Sequence, residues 1–111
     1  MDYHDMLAHL GVGSAHPGGF AATINFLSHY PIAKGSRVLE VGCGTGRTAC
    51  YLAKNGARVT GLDIRPHMLK RAKQRAQKEG VQVNWVEGDI TCLPFKDESF
   101  DVVFAESVTV F

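Results

Sequence analysis

Three glycines in five residues, Gly42, Gly44 and Gly46, sit in the run VLEVGCGTGRTACYLA, between a short apolar segment and a helical pattern. Glycines so placed let the backbone turn sharply and let a ligand approach it closely. A helix that starts just beyond them offers N–H groups and a partial positive charge. Three carboxylates stand where they could face such a ligand: Glu40 before the loop, Asp63, 21 residues after Gly42, and Asp89 in EGDITCLPF. Loops of this kind hold nucleotides, and the spacing narrows which. The dinucleotide fingerprint GxGxxG needs a third glycine where Arg47 stands, and the phosphate loop GxxxxGK[ST] needs a lysine that this loop lacks. A carboxylate at Asp63 can accept both hydroxyls of an unphosphorylated ribose, and it would repel a 2′-phosphate. Three acids suit a ligand with a ribose, an exocyclic amine and a cationic head, and suit a pyrophosphate poorly.

The elements that must position these residues alternate. A strand is predicted over Arg37–Val41, a helix over about Thr45–Lys54 closed by Asn55-Gly56, and a second strand over Arg58–Leu62. A helix then opens at Pro66 and ends at Gly80, where the first-turn proline and the terminal glycine are the expected punctuation. A third strand, Val81–Val86, alternates Val81, Val83 and Trp85 with polar residues, as a sheet-edge strand does; a fourth, Phe100–Glu106, is almost continuously apolar and is expected to be central. Ahead of these, Met1–Leu10 reads as a short helix, and Phe20, Ile24 and Leu27 mark an amphipathic helix ended by Pro31. Strand–helix alternation predicts a parallel α/β sheet with right-handed crossovers and helices on both faces. A central fourth strand needs a neighbour on each side, so the chain is expected to be the N-terminal part of a longer protein. Alone, it is expected to form a homodimer through that strand or the C-terminal tail.

Composition excludes several classes. The chain has 111 residues, at most one domain, and 12 Lys and Arg against 11 Asp and Glu give a net charge of +1, too little for a nucleic-acid binder that works through a strong positive field. No stretch approaches the ~20 apolar residues of a membrane span, and the N-terminus lacks a signal-peptide pattern, so a cytoplasmic protein is expected. Cys43, Cys50 and Cys92 show no CxxC spacing and the five histidines form no HxxxH or HExxH pair, so no metal is assigned. The basic run Lys70, Arg71, Lys73, Arg75 and Lys78 reads as a solvated helix face.

Four ordered blocks carry a resemblance: VLEVGCGTG at 38–46, VTGLD at 59–63, EGD at 87–89 with LPF at 93–95, and SFDVV at 99–103. Together they resemble the class I S-adenosylmethionine-dependent methyltransferases. The LPF…SFDVV wording is most similar to the small-molecule branch related to ubiquinone and menaquinone C-methyltransferases (methyltransferase type 11). The resemblance runs from Arg37 to Ser107. It implies a Rossmann-like, doubly wound, mostly parallel sheet, of which this chain holds about four strands in the order 3-2-1-4. Residues 1–34 would be a helical segment and cofactor lid, and residues 35–111 the N-terminal part of the cofactor-binding domain.

The resemblance also implies roles. The backbone of Gly42, Cys43, Gly44, Thr45 and Gly46 would lie against the methionine part and ribose of S-adenosylmethionine, with Glu40 orienting the loop or the amino group. Asp63 would take the ribose hydroxyls, and Ile64 and Met68 would pack on adenine. Gly88 would belong to the cofactor site, with Asp89 accepting from the adenine amine and the Ile90 backbone reaching the ring. Glu106 would lie by the methionine end or the substrate, and His16, Gly18 and Gly19 would close over the methionine carboxylate. The implied reaction moves the sulfonium methyl to a small-molecule acceptor and leaves S-adenosylhomocysteine. No catalytic base is assigned. Two other readings stay open at this point: a non-catalytic cofactor-binding or oligomerising module, and an NAD-binding oxidoreductase fragment.

Overall fold

A computed structural model of the chain describes residues 24–25, 28–29, 32–89, 91–92, 94–95 and 99–105. The described elements are β1 (Arg37–Val41), α1 (Arg47–Lys54), β2 (Arg58–Asp63), α2 (Pro66–Glu79), β3 (Asn84–Glu87) and β4 (Val102–Ala105). Ile24, Asn25, Ser28 and His29, from the segment predicted as an amphipathic helix, are helical. The helix predicted over Met1–Leu10 lies outside the described residues.

All pairings are parallel, and the sheet runs β3-β2-β1-β4, the order expected. Its centre is β1. Val38, Leu39, Glu40 and Val41 are all buried, as a strand covered on both faces must be. Because side chains alternate along a strand, Val38 and Glu40 point to one face and Leu39 and Val41 to the other. Val38 and Val59 meet Ala49 and Leu52 of α1, and half-buried Val83, Trp85 and Val102 pack against that cluster. Fully burying each such valine or leucine stabilises by ~1.5–3 kcal/mol.

Helices α1 and α2 lie on this face, for a topological reason. The steps β1→β2 and β2→β3 move the same way across the sheet, so two right-handed crossovers place α1 and α2 on one side. The step β3→β4 reverses direction, so its crossover must run over the other face, where Leu39, Val41 and Leu62 are buried. The described residues of that connection are turns and irregular chain, and Phe95 and Phe100 within it meet edge to face at 5.0 Å. The strand order reverses between β1 and β4, and the crevice beyond the C-terminal ends at such a reversal is where open parallel sheets bind ligands.

Several boundaries differ from the sequence expectation; β2 and β3 each end one residue later, at Asp63 and Glu87. Helix α1 starts at Arg47, two residues late, because Gly46 is left-handed (φ 79°) and caps it. Strand β3 starts at Asn84 because Val81 closes α2: its N–H donates to the Ala76 carbonyl at 3.0 Å, with Gly80 left-handed at the helix end. Strand β4 starts at Val102, two residues later than predicted, and runs to Ala105 among the described residues. Among the described residues it pairs with β1 alone, so the two-sided neighbourhood expected for it is not seen there.

Arg37 fastens β4 to β1 at their starting ends. The Asp101 carboxylate accepts from the Arg37 backbone N–H (2.8 Å), Nε (3.3 Å) and Nη2 (2.9 Å), and the Asp101 N–H donates to the Arg37 carbonyl at 2.8 Å. The Arg37 guanidinium and amide hold the Asp101 carboxyl down at about 2. An unfolded aspartate titrates near ~3.9. The contact's contribution is therefore present above that value and lost as pH falls towards 2. Asp101→Asn is expected to flatten the acid limb of the stability profile between those values; an unchanged limb in urea unfolding at stepped pH would refute this.

Candidate functional site

The glycine loop begins where β1 ends; two hydrogen bonds sew it to the end of β2, and a third ties the turn after β3 to the same strand end. The Cys43 N–H donates to the Leu62 carbonyl at 3.0 Å, the Gly44 N–H to Asp63 Oδ2 at 2.8 Å, and the Gly88 N–H to the Asp63 carbonyl at 3.1 Å. The turns after β1, β2 and β3 thus meet around Asp63. Within the loop the Gly46 N–H donates to the Cys43 carbonyl at 3.0 Å. Gly42, Gly44 and Gly46 all have positive φ, at 66°, 56° and 79°.

The glycines divide by what surrounds them. A Cβ at Gly44 would meet nothing nearer than Arg65 Nη2 at 4.0 Å, so this part of the loop faces open space. At Gly46 a Cβ would lie 2.7 Å from Trp85 Cη2 and 2.9 Å from Ala72 Cβ, so Gly46 lets α2 and β3 close against the loop. Helix-on-strand packing is what the third glycine of GxGxxG provides in dinucleotide folds; here it falls one residue earlier. Gly61 receives the same indole from below, with Trp85 Cζ3 at 2.6 Å and Cys43 Sγ at 3.1 Å from a built Cβ. Gly61→Ala is expected to lose ~1–3 kcal/mol by overpacking, and to lose less in a Trp85→Leu background. Equal losses in the two backgrounds, read from urea unfolding, would show that the ring is not the obstacle.

Asp63 is 2% exposed and fully engaged. Besides Gly44, the Arg65 N–H (2.9 Å) and Nε (2.9 Å) donate to Oδ1, and Arg65 Nη2 (3.0 Å) donates to Oδ2. Burial pushes its carboxyl up, but the guanidinium and the two amides outweigh burial and hold it below the usual carboxylate range. Beside it, Ile64 is 59% exposed, a large apolar side chain left facing solvent at the mouth of the crevice. Met68 is half-buried one helical turn on. Glu40 is 1% exposed and lies in register with Gly61. Burial first, then the negative charges of Glu40 and Asp63, pushes the Cys43 thiol far above its ordinary range, which makes it a packing group and not a nucleophile. Asp89 Oδ1 accepts from the Thr91 N–H (2.8 Å) and Oγ1 (2.7 Å), so one of its oxygens closes a turn.

The structure therefore brings Gly42, Cys43, Gly44, Thr45, Asp63, Ile64, Gly88 and Asp89 to one end of the sheet, with Glu40 and Gly46 beneath them. His16, Gly18, Gly19, Ile90 and Glu106 lie outside the described residues. Sequence reasoning missed two arginines. Arg65 forks onto Asp63, a pairing that the Asp-x-Arg spacing could have suggested. Arg75 leaves the basic face of α2: its Nε donates to the Thr45 carbonyl at 3.2 Å and its Nη1 pairs with Glu79. A separate open groove lined by Arg58, Lys73, Val83, Asn84 and Phe100 lies at the strands' starting ends and includes none of the glycine loop.

Residues 38–111 match the family described as Methyltransferase domain. The chain belongs to that family. Its four parallel strands have the Rossmann-like order of class I S-adenosylmethionine-dependent methyltransferases. This methyltransferase domain is 40% identical over 109 residues to the uncharacterized methyltransferase YodH of Bacillus subtilis, covering 98% of the chain and 47% of YodH. It is 40% identical over 102 residues to sterol 24-C-methyltransferase ERG6B of Gibberella zeae, covering 88% of the chain and 27% of that enzyme. A solved methyltransferase from Thiobacillus denitrificans, in complex with S-adenosylhomocysteine, is similar with a TM-score of 0.64 and 32% identity, over 72% of this chain and 33% of the other. The chain spans about half the length of YodH and a smaller share of the other two. Among the described residues, no helix is long and apolar enough to cross a membrane.

Proposed function

We propose that this domain binds S-adenosylmethionine at the C-terminal ends of β1, β2 and β3, within a protein that methylates a small molecule. The observation that carries the reading is the use of the loop's own amides. A pyrophosphate needs backbone N–H groups aimed at it, yet those of Cys43, Gly44 and Gly46 are bonded to Leu62, Asp63 and Cys43. What remains is a shaped, open surface over Gly44, a carboxylate at the next strand end and an exposed isoleucine beside it. Those features fit a nucleoside without phosphate. The bound S-adenosylhomocysteine of the Thiobacillus denitrificans relative supports the cofactor, and the sterol methyltransferase relative supports a small acceptor.

When bound, the cofactor supplies an activated sulfonium methyl that passes to an acceptor atom, leaving S-adenosylhomocysteine. The domain's own residues hold and orient. Asp63 is placed for the ribose hydroxyls, Ile64 and Met68 for the faces of the adenine, and Asp89 for its amine, while the loop from Gly42 to Thr45 sets the depth of approach. Alignment of this kind contributes ~7–11 kcal/mol to such reactions. Free thiols at Cys43, Cys50 and Cys92 support a reducing, cytoplasmic setting.

Isothermal calorimetry with S-adenosylhomocysteine and, separately, NAD tests the reading. Binding of the first and not the second is the expected result; the reverse order would sink it and revive the dinucleotide alternative.

A further inference from the structure

We propose that Arg65 is a displaceable occupant of the ribose seat, one that competes with the cofactor's two hydroxyls for Asp63 and sets the affinity of the site. The inference rests on the cofactor reading above. A carboxylate has about four acceptor positions, and at Asp63 four donors fill them. Two are the backbone N–H groups of Gly44 and Arg65, fixed by the loop and the turn. The other two, Nε on Oδ1 and Nη2 on Oδ2, form a bidentate fork from a single side chain. The Asp63 side chain is 2% exposed and that of Arg65 is 44% exposed, so the guanidinium is what stands between the carboxylate and solvent.

A ribose diol presents the same pattern as the fork: two donors, one for each oxygen. Both cannot occupy that edge at once. The guanidinium also reaches over the loop, with Nη2 4.0 Å from where a Gly44 side chain would begin, the open space a nucleoside needs. Seating the ribose therefore requires Arg65 to swing out into water, which its exposure allows, while both backbone amides stay on Asp63. A seat occupied part of the time by its own side chain binds more weakly by the fraction of time it is free. Arg65 thus sets cofactor affinity and makes the site favour a diol, since a ligand without one leaves the fork on Asp63 in place and gains nothing from its removal.

Calorimetry on the whole chain and its Arg65→Ala and Arg65→Lys variants tests this, using S-adenosylhomocysteine, adenosine and 2′,3′-dideoxyadenosine. Arg65→Ala is expected to bind S-adenosylhomocysteine and adenosine roughly 3–10-fold more tightly than the parent, with Arg65→Lys, which keeps the charge but loses the fork, in between. The dideoxy ligand should show no such order. Should Arg65→Ala fail to fold, Arg65→Lys and the two nucleosides on the parent carry the test. Weaker S-adenosylhomocysteine binding in the variants, or equal gains for the dideoxy ligand, would overturn the proposal and leave the cofactor reading standing. Loss of S-adenosylhomocysteine binding in parent and variants alike would remove both.

Discussion

Asp63→Ala is expected to lose about 2–4 kcal/mol of stability and to weaken S-adenosylhomocysteine binding by roughly tenfold or more. The first figure follows from the donors left behind, since a buried polar group without its partner costs ~1–3 kcal/mol. The Gly44 amide loses its acceptor, as does the Arg65 amide; the Arg65 guanidinium can turn to water, so it adds less. The second follows from hydrogen bonds to a charged acceptor, worth ~1.5–3 kcal/mol each, where 1.4 kcal/mol is tenfold in affinity. The pH dependence has a definite sign. Asp63's folded-state pKa is depressed, so its contribution is present above the unfolded value near ~3.9 and is lost as pH falls through the folded one. The gap between parent and Asp63→Ala should therefore be widest at neutral pH and narrow as pH falls below ~3.9. Urea unfolding at neutral pH and in acid reads both quantities. A gap just as wide in acid would mean the carboxylate's charge is not what holds the loop.

The second large effect is expected at Gly46. Its φ of 79° costs an L-residue ~1–2 kcal/mol, and a Cβ there would lie 2.7 Å from Trp85 and 2.9 Å from Ala72. Ala72 is fully buried on α2 and has nowhere to go, so the clash adds the ~1–3 kcal/mol of an overpacked core. Gly46→Ala should lose about 2–5 kcal/mol and, by pushing α2 from the loop, strain the Arg75 contact to Thr45 as well. Gly80 is the matched comparison. Its φ is 70°, but nothing lies within 4 Å of a built Cβ, so Gly80→Ala should show the backbone cost alone, ~1–2 kcal/mol. Equal losses at the two positions would mean that the close packing around Gly46 gives way at no cost.

Much of the fold was legible because it depends on local signals. The apolar run at Val38–Val41 has the length and β-branched content of a buried strand, and β1 occupies Arg37–Val41 as predicted. Pro66 and Gly80 bracket α2 as a first-turn proline and a left-handed terminal glycine do. Where the boundaries moved, hydrogen bonding between neighbouring elements overrode composition. Val81 has the side chain of a strand residue, but its amide completes α2, and β3 waits until Asn84. The site divides in the same way. Asp63 and the glycines were visible as residue types at telling separations. Arg75 and Asp101 were not, because what they do depends on partners that only the folded chain brings within 3.3 Å, whereas Arg65 has its partner two residues away.

By itself, the sequence determined the alternation of strands and helices, the left-handed turns, and the acid at the end of β2. Each follows from short-range sterics and the period of apolar residues, which no neighbour is needed to define. The tertiary structure alone decided how those parts are spent. It packs Gly46 and Gly61 against Trp85 and leaves Gly44 open, commits the amides of Cys43, Gly44 and Gly46 to the protein itself, and closes the Arg65 fork over Asp63. Those are outcomes of distance and direction between segments about 20 or more residues apart, or of a backbone turn that aims a side chain. One sequence spacing is compatible with several such arrangements, and the folded chain selects the one that satisfies its buried donors and acceptors.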